Sequence, residues 1–439
     1  DVAGIIESPV YAILKMNQEL KKLDARNFGG TEAQLRILNA VQPFNPPELE
    51  VNDLFAGLRF PTLANLTFAE ALTAEAAYRF SDYNTETDQV DAYNFGLVWA
   101  PVTDIRFRGN ISTSVRAPTQ SDLYDPFSQN FAQVQDPCDV LYIGNNPNRA
   151  ANCAAAGVPA NFINQPARDR TTGYLSGGNE LLKEEEGESY TVGFVLMPRQ
   201  LPGFAFSFDY WNIEVTDLIA SLGAQTILNE CYNAPGGINN QYCALIAPRN
   251  PDGTFGDPAL ISGGVNYASQ ETDGMDFDVS YQTTLPNGDR LSARAIATYV
   301  LNLNNYTNPS DPNLPNRQLS ELGDPELAMN FNLTYGTGPV DLRYSARYIG
   351  KQTIGLYEAQ HSFDGLPPTN RDQYPRKWYP SVTYHDVRAE WQLNDIVAIY
   401  GGADNVTNEL PPLGLLGTAG GDPFDSIGRY FYAGVKVDM

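Results

Sequence analysis

The chain has 439 residues and a formal net charge of −24 at pH 7. This charge argues against nucleic acid as a partner, because phosphates require a basic surface. No run of eighteen apolar residues occurs, so the sequence predicts no membrane-spanning helix. The chain has only two histidines, His361 and His385, and no Cys-x-x-Cys spacing, so we expect no metal site and no cofactor.

Residues 1–47 carry helix signals. Ser8-Pro9 can form the N-cap and the first position of a helix, and Gly29-Gly30 can end it. Between them lies an apolar stripe of Ile13, Met16, Leu20 and Leu23. Thr31 and Gln34 have capping-box spacing and can begin a second helix. We interpret the stripe as local packing rather than as a partner site. The sequence therefore predicts a loop with short helices before the first strand.

From residue 48 onward, about thirteen segments of roughly ten residues alternate between apolar and polar side chains. The clearest segments are 104–116, 290–301, 329–335 and 340–348. In the first of them, Ile105 and Phe107 are apolar, whereas Arg106 and Arg108 are charged. A period of two residues predicts β-strands with two unlike faces. Alternation alone fits both a soluble sandwich and a barrel that spans lipid.

The lengths of the connections separate these two folds. The short connections are 61–68, 101–103, 199–203, 285–289, 336–339 and 394–395. The long connections are 119–187, 216–265, 303–327, 351–380 and 409–425. Short and long connections alternate along the chain, except that 84–90 is short where a long one is due. Outer-membrane barrels have short periplasmic turns and long extracellular loops, so the sequence predicts an all-β transmembrane antiparallel barrel.

The four cysteines fall into two close pairs, Cys138 with Cys153 and Cys231 with Cys243, each inside one long connection. Four cysteines allow three connectivities, of which local pairing is the most economical. Disulfides require an oxidising compartment such as the periplasm.

Several short motifs occur in a fixed order along the chain. They are Arg116-Ala117-Pro118 at a strand end, Gly178-Asn179 in the run to Glu185, Thr272-Asp273-Gly274, Asp404-Asn405, and Gly428-Arg429 before the final alternating strand. This ordered set resembles the barrel signature of TonB-dependent outer-membrane receptors. The final strand departs from the family pattern at Met439, where an aromatic residue is usual.

The resemblance implies a barrel of about 22 strands around a folded plug. Residues 48–439 are therefore expected to form the C-terminal part of the barrel, and residues 1–47 an extracellular loop. The plug and the early strands are expected in an N-terminal segment of the same receptor. That segment, the TonB inner-membrane complex and outer-membrane lipid are the implied partners. The implied location is the outer membrane of a Gram-negative bacterium of the alphaproteobacterial type.

The resemblance also implies uptake of a scarce substrate, such as a siderophore, cobalamin, a carbohydrate or a peptide. An enzyme is not expected, because no nucleophile, base and orienting residue stand out together. A passive porin and a surface scaffold for a lipoprotein or other partner are the alternatives. Five arginines on the polar faces are expected to face the lumen, mainly in salt bridges and hydrogen bonds: Arg106, Arg108, Arg294, Arg343 and Arg347.

Overall fold

The computed structural model describes residues 11–20, 44–412 and 423–437, the first of these ranges for its backbone only. In chain order the strands are β1 (Tyr11–Leu20), β2 (Leu49–Leu66), β3 (Ala69–Tyr83), β4 (Gln89–Val102), β5 (Ile105–Arg116), β6 (Ser128–Ala132), β7 (Thr172–Ser176), β8 (Glu185–Leu196), β9 (Phe204–Ser221), β10 (Ile261–Ser262), β11 (Gly264–Thr284), β12 (Arg290–Tyr306), β13 (Asn316–Arg317), β14 (Leu327–Thr337), β15 (Val340–Ile349), β16 (Gln352–Thr353), β17 (Trp378–Tyr379), β18 (Val382–Gln392), β19 (Val397–Asp404) and β20 (Tyr430–Val437). The helices are α1 (Gln120–Tyr124), α2 (Arg149–Ala155), α3 (Gln165–Asp169), α4 (Ala224–Asn233), α5 (Gln241–Ala244) and α6 (Tyr357–Gln360), with a 3-10 helix at Ile143–Asn145.

Most of the strands form one 15-stranded sheet. Its main path runs β1-β2-β3-β4-β5-β8-β9-β11-β12-β14-β15-β18-β19-β20, and β13 pairs with β12 beside this path. Neighbouring strands on the path are antiparallel. The all-β antiparallel prediction is therefore confirmed.

The lengths of the connections also alternate between short and long, as the sequence predicts. The short ones lie at 67–68, 103–104, 197–203, 285–289, 338–339 and 393–396. The long ones lie at 117–184, 222–263, 307–326, 350–381 and 405–429, and the exception, 84–88, is short. All long connections therefore leave the same end of the sheet, which is called the long-loop end below.

The structure differs from the sequence prediction at β1. Tyr11–Leu20 form a strand that pairs with β2, so the helix predicted there is wrong over these residues. The edge of β2 presents a row of backbone N–H and C=O groups that need hydrogen-bond partners. Residues 11–20 supply these partners as a strand, although their side chains follow a helical pattern. The remaining parts of the predicted N-terminal loop, 1–10 and 21–43, lie outside the described residues, as does Met439.

One face of the sheet is apolar and carries a row of aromatic rings. Trp99, Phe107, Phe194, Phe208 and Phe277 occupy register-matched positions on five consecutive strands. Their neighbouring ring centroids are 5.5, 6.3, 5.9 and 5.3 Å apart. Aromatic rows of this kind suit the border between lipid and water.

The strands beside the largest loops are longer than a bilayer requires. β9 has 18 residues and β11 has 21, whereas about 9–11 tilted residues cross the hydrocarbon layer. Toward the long-loop end, the same face turns acidic, and Glu188, Glu214 and Glu271 stand opposite one another on β8, β9 and β11. The apolar band therefore covers only the part of these strands nearer the short connections.

Buried side chains gather at the long-loop end. The larger cluster includes Ile227 and Leu228, each 0% exposed, and joins the connections 117–184 and 222–263. A smaller cluster contains Ile349, Val382 and Phe424. Among the described residues, no helix is both long and apolar enough to cross a membrane.

An arginine on the apolar face should destabilise the sheet in a membrane. We expect Val192→Arg to cost about 2–4 kcal/mol of folding free energy, because Val192 lies on the apolar face one row beyond the aromatic row and the charge would enter lipid. The neighbouring Thr191→Arg, on the polar face, should cost much less. The measurement is denaturant unfolding of both variants in bilayers. Equal losses of stability would show that the apolar face does not meet lipid.

Candidate functional site

The five arginines predicted to face the lumen all lie on the polar face of the sheet. Arg108 pairs with Asp209, and Arg294 pairs with Asp278 at 2.6 Å. Arg347 stacks over the Tyr384 ring at 4.8 Å. The other two, Arg106 and Arg343, form no ion pair with any described residue. That this face lines a lumen stays a prediction.

The Arg108–Asp209 pair spans an intervening strand. Arg108 on β5 and Asp209 on β9 both stand opposite Gly193 on β8. A Cβ atom at Gly193 would lie 2.2 Å from Asp209 Oδ1, so only glycine leaves room for the carboxylate at this position. The sequence alternation predicted the arginine but gave no signal for this partner two strands away.

The Arg116 signature residue joins three strands. Its guanidinium group donates to both carboxylate oxygens of Glu185 at the start of β8. The same carboxylate accepts the backbone N–H of Ile219 on β9 at 2.9 Å, and Asp122 lies 3.6 Å from Arg116. Glu185 is only 5% exposed. Ala117 and Pro118 follow directly and lead the chain into α1.

The Gly178-Asn179 signature holds the base of the first long loop. Gly178 N–H donates to Asp125 O at 2.9 Å, and Asn179 Nδ2 donates to Gly264 O at 2.9 Å. A Cβ atom at Gly178 would lie 2.4 Å from the carbonyl group of Leu123. The close approach of the two backbones therefore requires glycine here.

The remaining signature residues are also structural joints. Gly274 lies beneath the ring of Trp211, which a Cβ atom would approach to 2.6 Å. Asn405 is 1% exposed and donates its N–H to Asp386 Oδ1 at 2.7 Å. Arg429 N–H donates to Asn408 Oδ1 at 3.0 Å. Asn405 and Arg429 hold the two ends of the last long connection, whereas Gly274 lies within β11.

The connections 117–184 and 222–263 fold together into one unit, which we call the cap. The structure pairs Cys138 with Cys153 and Cys231 with Cys243, the local connectivity that the sequence favours. Cys138, Cys153 and Cys231 lie in one shared apolar core. The sequence predicted two separately stapled loops and did not show that they share a core.

A buried ion pair connects the two halves of the cap. Arg249 donates from Nη1 and Nη2 to the two carboxylate oxygens of Asp136, at 2.7 Å each. The side chains are 4% and 1% exposed. The guanidinium group also lies 5.1 Å from the Tyr232 ring centroid and 4.5 Å from that of Phe255. Arg149 adds a second link, because its Nε donates to Asn233 Oδ1 at 2.7 Å.

A second unit, which we call the rim module, is formed by the connections 307–326 and 350–381. Gly323 N–H donates to Gln352 Oε1 at 2.6 Å, and Gln352 is fully buried. Arg317 N–H donates to Glu358 Oε1 at 2.5 Å. Its guanidinium group stacks over Tyr357 at 4.8 Å. The two connections therefore hold each other in place.

His361 lies inside the rim module between two rings. The His361 centroid is 4.7 Å from that of Tyr357 and 4.6 Å from that of Trp378, and Nε2 is 3.2 Å from Thr353 Oγ1. Burial lowers the pKa of His361, and the positive charges of Lys377 and Lys351 lower it further. The ring is therefore neutral at pH 7.

Two described residues of the last long connection, Phe424 and Asp425, pack against the polar face. Phe424 is 6% exposed and packs in one cluster with Ile349, Val382 and Tyr384. Asp425 N–H donates to the Tyr384 hydroxyl at 3.0 Å. Along the chain, the cap follows β5 and β9, and the rim module follows β12 and β15.

Alternating strands, an apolar face with aromatic rows and large loops at one end define the class of outer-membrane β-barrels. A model of the family described as "TonB dependent receptor-like, beta-barrel" matches residues 18–406. The chain belongs to this TonB-dependent receptor family.

Solved structures share this fold. A mutant of the ferric enterobactin receptor PfeA from Pseudomonas aeruginosa, in complex with enterobactin, matches with a TM-score of 0.56 at 14% identity, over 90% of this chain and 46% of that one. The siderophore receptor PirA from Acinetobacter baumannii matches with a TM-score of 0.56 at 12% identity, over 89% and 46%. The chain spans less than half the length of these receptors. No curated protein sequence matches it.

Removing Arg249 should loosen the cap. We expect Arg249→Ala to cost about 3–5 kcal/mol, because the Asp136 carboxylate would stay buried without its partner. Limited proteolysis and hydrogen exchange of 117–184 and 222–263 would measure the loss. Arg199→Ala breaks the exposed pair with Asp104 and serves as the control. Unchanged protection in Arg249→Ala would contradict the role of the pair.

The rim module should loosen in acid. A histidine whose folded-state pKa lies below its ordinary value of 6.5 contributes stability above pH 6.5 that is lost as the pH falls through the folded-state pKa. Hydrogen exchange of 350–381 should therefore speed up between about pH 7.5 and pH 5.5, beyond the intrinsic pH effect. His361→Gln should remove this pH dependence. The same dependence in the variant would exclude His361 as its source.

Proposed function

We propose that this chain is the barrel portion of a receptor that takes up a scarce substrate across the outer membrane of a Gram-negative bacterium, using energy supplied through TonB. The observation that carries this proposal is the family match over 18–406 on a sheet whose long loops all leave one end. Under it, the apolar face meets lipid, the polar face lines the lumen, and the long-loop end is extracellular.

The proposal requires further strands and a plug. The main path of the sheet has 14 strands, whereas barrels of outer-membrane transporters have about 22. An N-terminal segment of the same receptor would supply the remainder. The polar face offers that segment two cations, Arg106 and Arg343, that make no ion pair among the described residues. The plug would in turn contact the TonB complex of the inner membrane.

The cap and the rim module are the proposed walls of the substrate entrance. A buried ion pair, a shared core and two disulfides hold the cap in one shape. Hydrogen bonds and ring stacking hold the rim module, and such fixed walls reduce the entropy lost on binding. A ferric siderophore is the first candidate substrate, because two structural neighbours are named as siderophore receptors. Cobalamin, carbohydrates and peptides are the further candidate substrates. The role is that of a transporter rather than an enzyme.

A scaffold for a surface lipoprotein is the second candidate. Val140, Leu141 and Ile163 on the cap are 44%, 59% and 52% exposed, and Val140 N–H donates to Phe162 O at 2.8 Å, which brings these apolar side chains together. Exposed apolar patches often mark protein contacts.

Uptake that depends on TonB would test the proposal. Cells expressing the receptor should accumulate a radiolabelled ferric siderophore, and a strain without functional TonB should not. Labelled cobalamin serves as a second substrate in the same cells. Equal uptake with and without TonB would indicate a passive pore, and binding without any uptake would favour the scaffold.

The predicted second segment has its own test. Peptide mapping of the purified particle should find plug and early-strand sequence at one copy for each copy of this chain. A particle that contains this chain alone would contradict the completed barrel.

A further inference from the structure

β15 and the two residues that follow it carry a series of three cations. Arg343, Arg347 and Lys351 recur every four residues, and all three side chains are exposed. Arg343 and Arg347 share the polar face of the sheet, because side chains alternate along β15. Successive members of the series are about 13 Å apart along the strand. The series therefore runs from near the short connection 338–339 to the start of the rim module.

The hairpin register places Lys351 on the same side of the sheet as the two arginines. Ile349 pairs with Val382, and Gln352 pairs with Tyr379. Between these pairs each strand advances by three residues, so β16 and β17 continue the β15–β18 ladder without a shift. Because side chains alternate along a strand, Lys351 lies on the side of Ile349, which is the polar face.

Neighbouring strands do not neutralise this series. Its three cations form no ion pair with any described residue. β14, the neighbour on one side, contains no Asp or Glu. The carboxylates of β15 and β18 have other partners: Asp341 pairs with Arg290 at 3.0 Å, Glu390 pairs with Arg388 at 2.8 Å, and Asp386 Oδ1 accepts Asn405 N–H at 2.7 Å.

Aromatic rings hold two of the three cations in place. The Arg347 guanidinium group lies 4.8 Å from the Tyr384 ring centroid, and its Nη1 lies 3.5 Å from Pro423 O. The Lys351 ammonium group lies 4.5 Å from the Trp378 ring centroid. A ring positions a cation without cancelling its charge. Both groups are therefore fixed, exposed and able to attract an anion.

Unpaired positive charge is unusual in this chain. The chain has 52 acidic residues and 28 lysines and arginines, so an anion is repelled from most of its surface and drawn to the few unpaired cations. Elsewhere on the polar face, carboxylates pair with Arg108 and Arg294. In pores, lysines and arginines that line the path favour anions. The series on β15 thus suits an anionic molecule that moves along the polar face.

We propose that Lys351, Arg347 and Arg343 form a track for a polyanionic substrate. Lys351 meets the substrate beside the rim module, and Arg347 binds it one step further along the strand. Arg343 forms the end of the track near the short connections. This inference rests on the proposed function, because the polar face is a substrate path only if it lines the lumen of a transporter. Among the candidate substrates, the track favours an anionic ferric siderophore over neutral carbohydrates.

Calorimetric titration of the complete purified receptor with sodium tripolyphosphate, a small polyanion, tests the track. We expect binding that weakens as the NaCl concentration is raised. The double variant Arg347→Gln and Lys351→Gln should weaken binding about tenfold, because two unpaired charges are lost. Arg343 stays unchanged, since the plug is also expected to contact it.

Arg371→Gln is the matched control, because Arg371 is an exposed cation of the same connection that lies outside the series. It should bind tripolyphosphate as the wild type does. Equal losses in the double variant and in Arg371→Gln would overturn the track, since they would reflect only the overall charge. Wild-type receptor that binds no tripolyphosphate would overturn it too. If the double variant fails to assemble, Lys351→Gln is compared with Lys351→Arg, and equal affinities there would contradict the proposal.

Uptake measurements separate the track from transport itself. In cells, the double variant should take up a radiolabelled ferric siderophore with catecholate groups about tenfold more slowly than the wild type, and the remaining uptake should still depend on TonB. Uptake at the wild-type rate would overturn the track and leave the transporter intact. Wild-type cells without any TonB-dependent uptake would contradict the proposed function, whereas the titration of the purified receptor involves no TonB.

Discussion

The need to pair every backbone N–H and C=O group within the protein is the constraint on which this structure depends. In lipid no water can replace a missing partner, and from β2 to β20 an antiparallel ladder supplies the partners on both sides of nearly every strand. The ladder forces side chains to alternate between two faces. One face can then meet lipid with aromatic rings, while the other is free to carry charge.

Two ion pairs on the polar face form because the ladder fixes which residues stand opposite each other. Arg294 and Asp278 come from adjacent strands, and Arg108 reaches Asp209 only because Gly193 lies between them. Pairing of this kind lowers the free-energy cost of placing several charges on one face of the sheet.

The sequence predicts structure that depends on residues close together in the chain, and it does not predict contacts between residues that are far apart in the chain. Alternation and turn residues repeat every few positions, so thirteen strands and all short connections could be predicted. The strand at Tyr11–Leu20 could not, because its local pattern is helical and its partner β2 lies elsewhere in the chain. The cap could not either, because Arg249 and Asp136 are 113 residues apart. Two cysteine pairs reveal two closed loops but not their common core.

The signature residues attach the long connections to the sheet. Arg116 ties β5 to β8 and β9 through Glu185, and Asn179 ties the cap base to β11. The cap and the rim module each close on an interior of their own, and Ser310 and Glu230 meet between them. The attachment of the cap therefore rests on contacts at its base, whereas its shape rests on its buried cluster and on the Arg249–Asp136 pair.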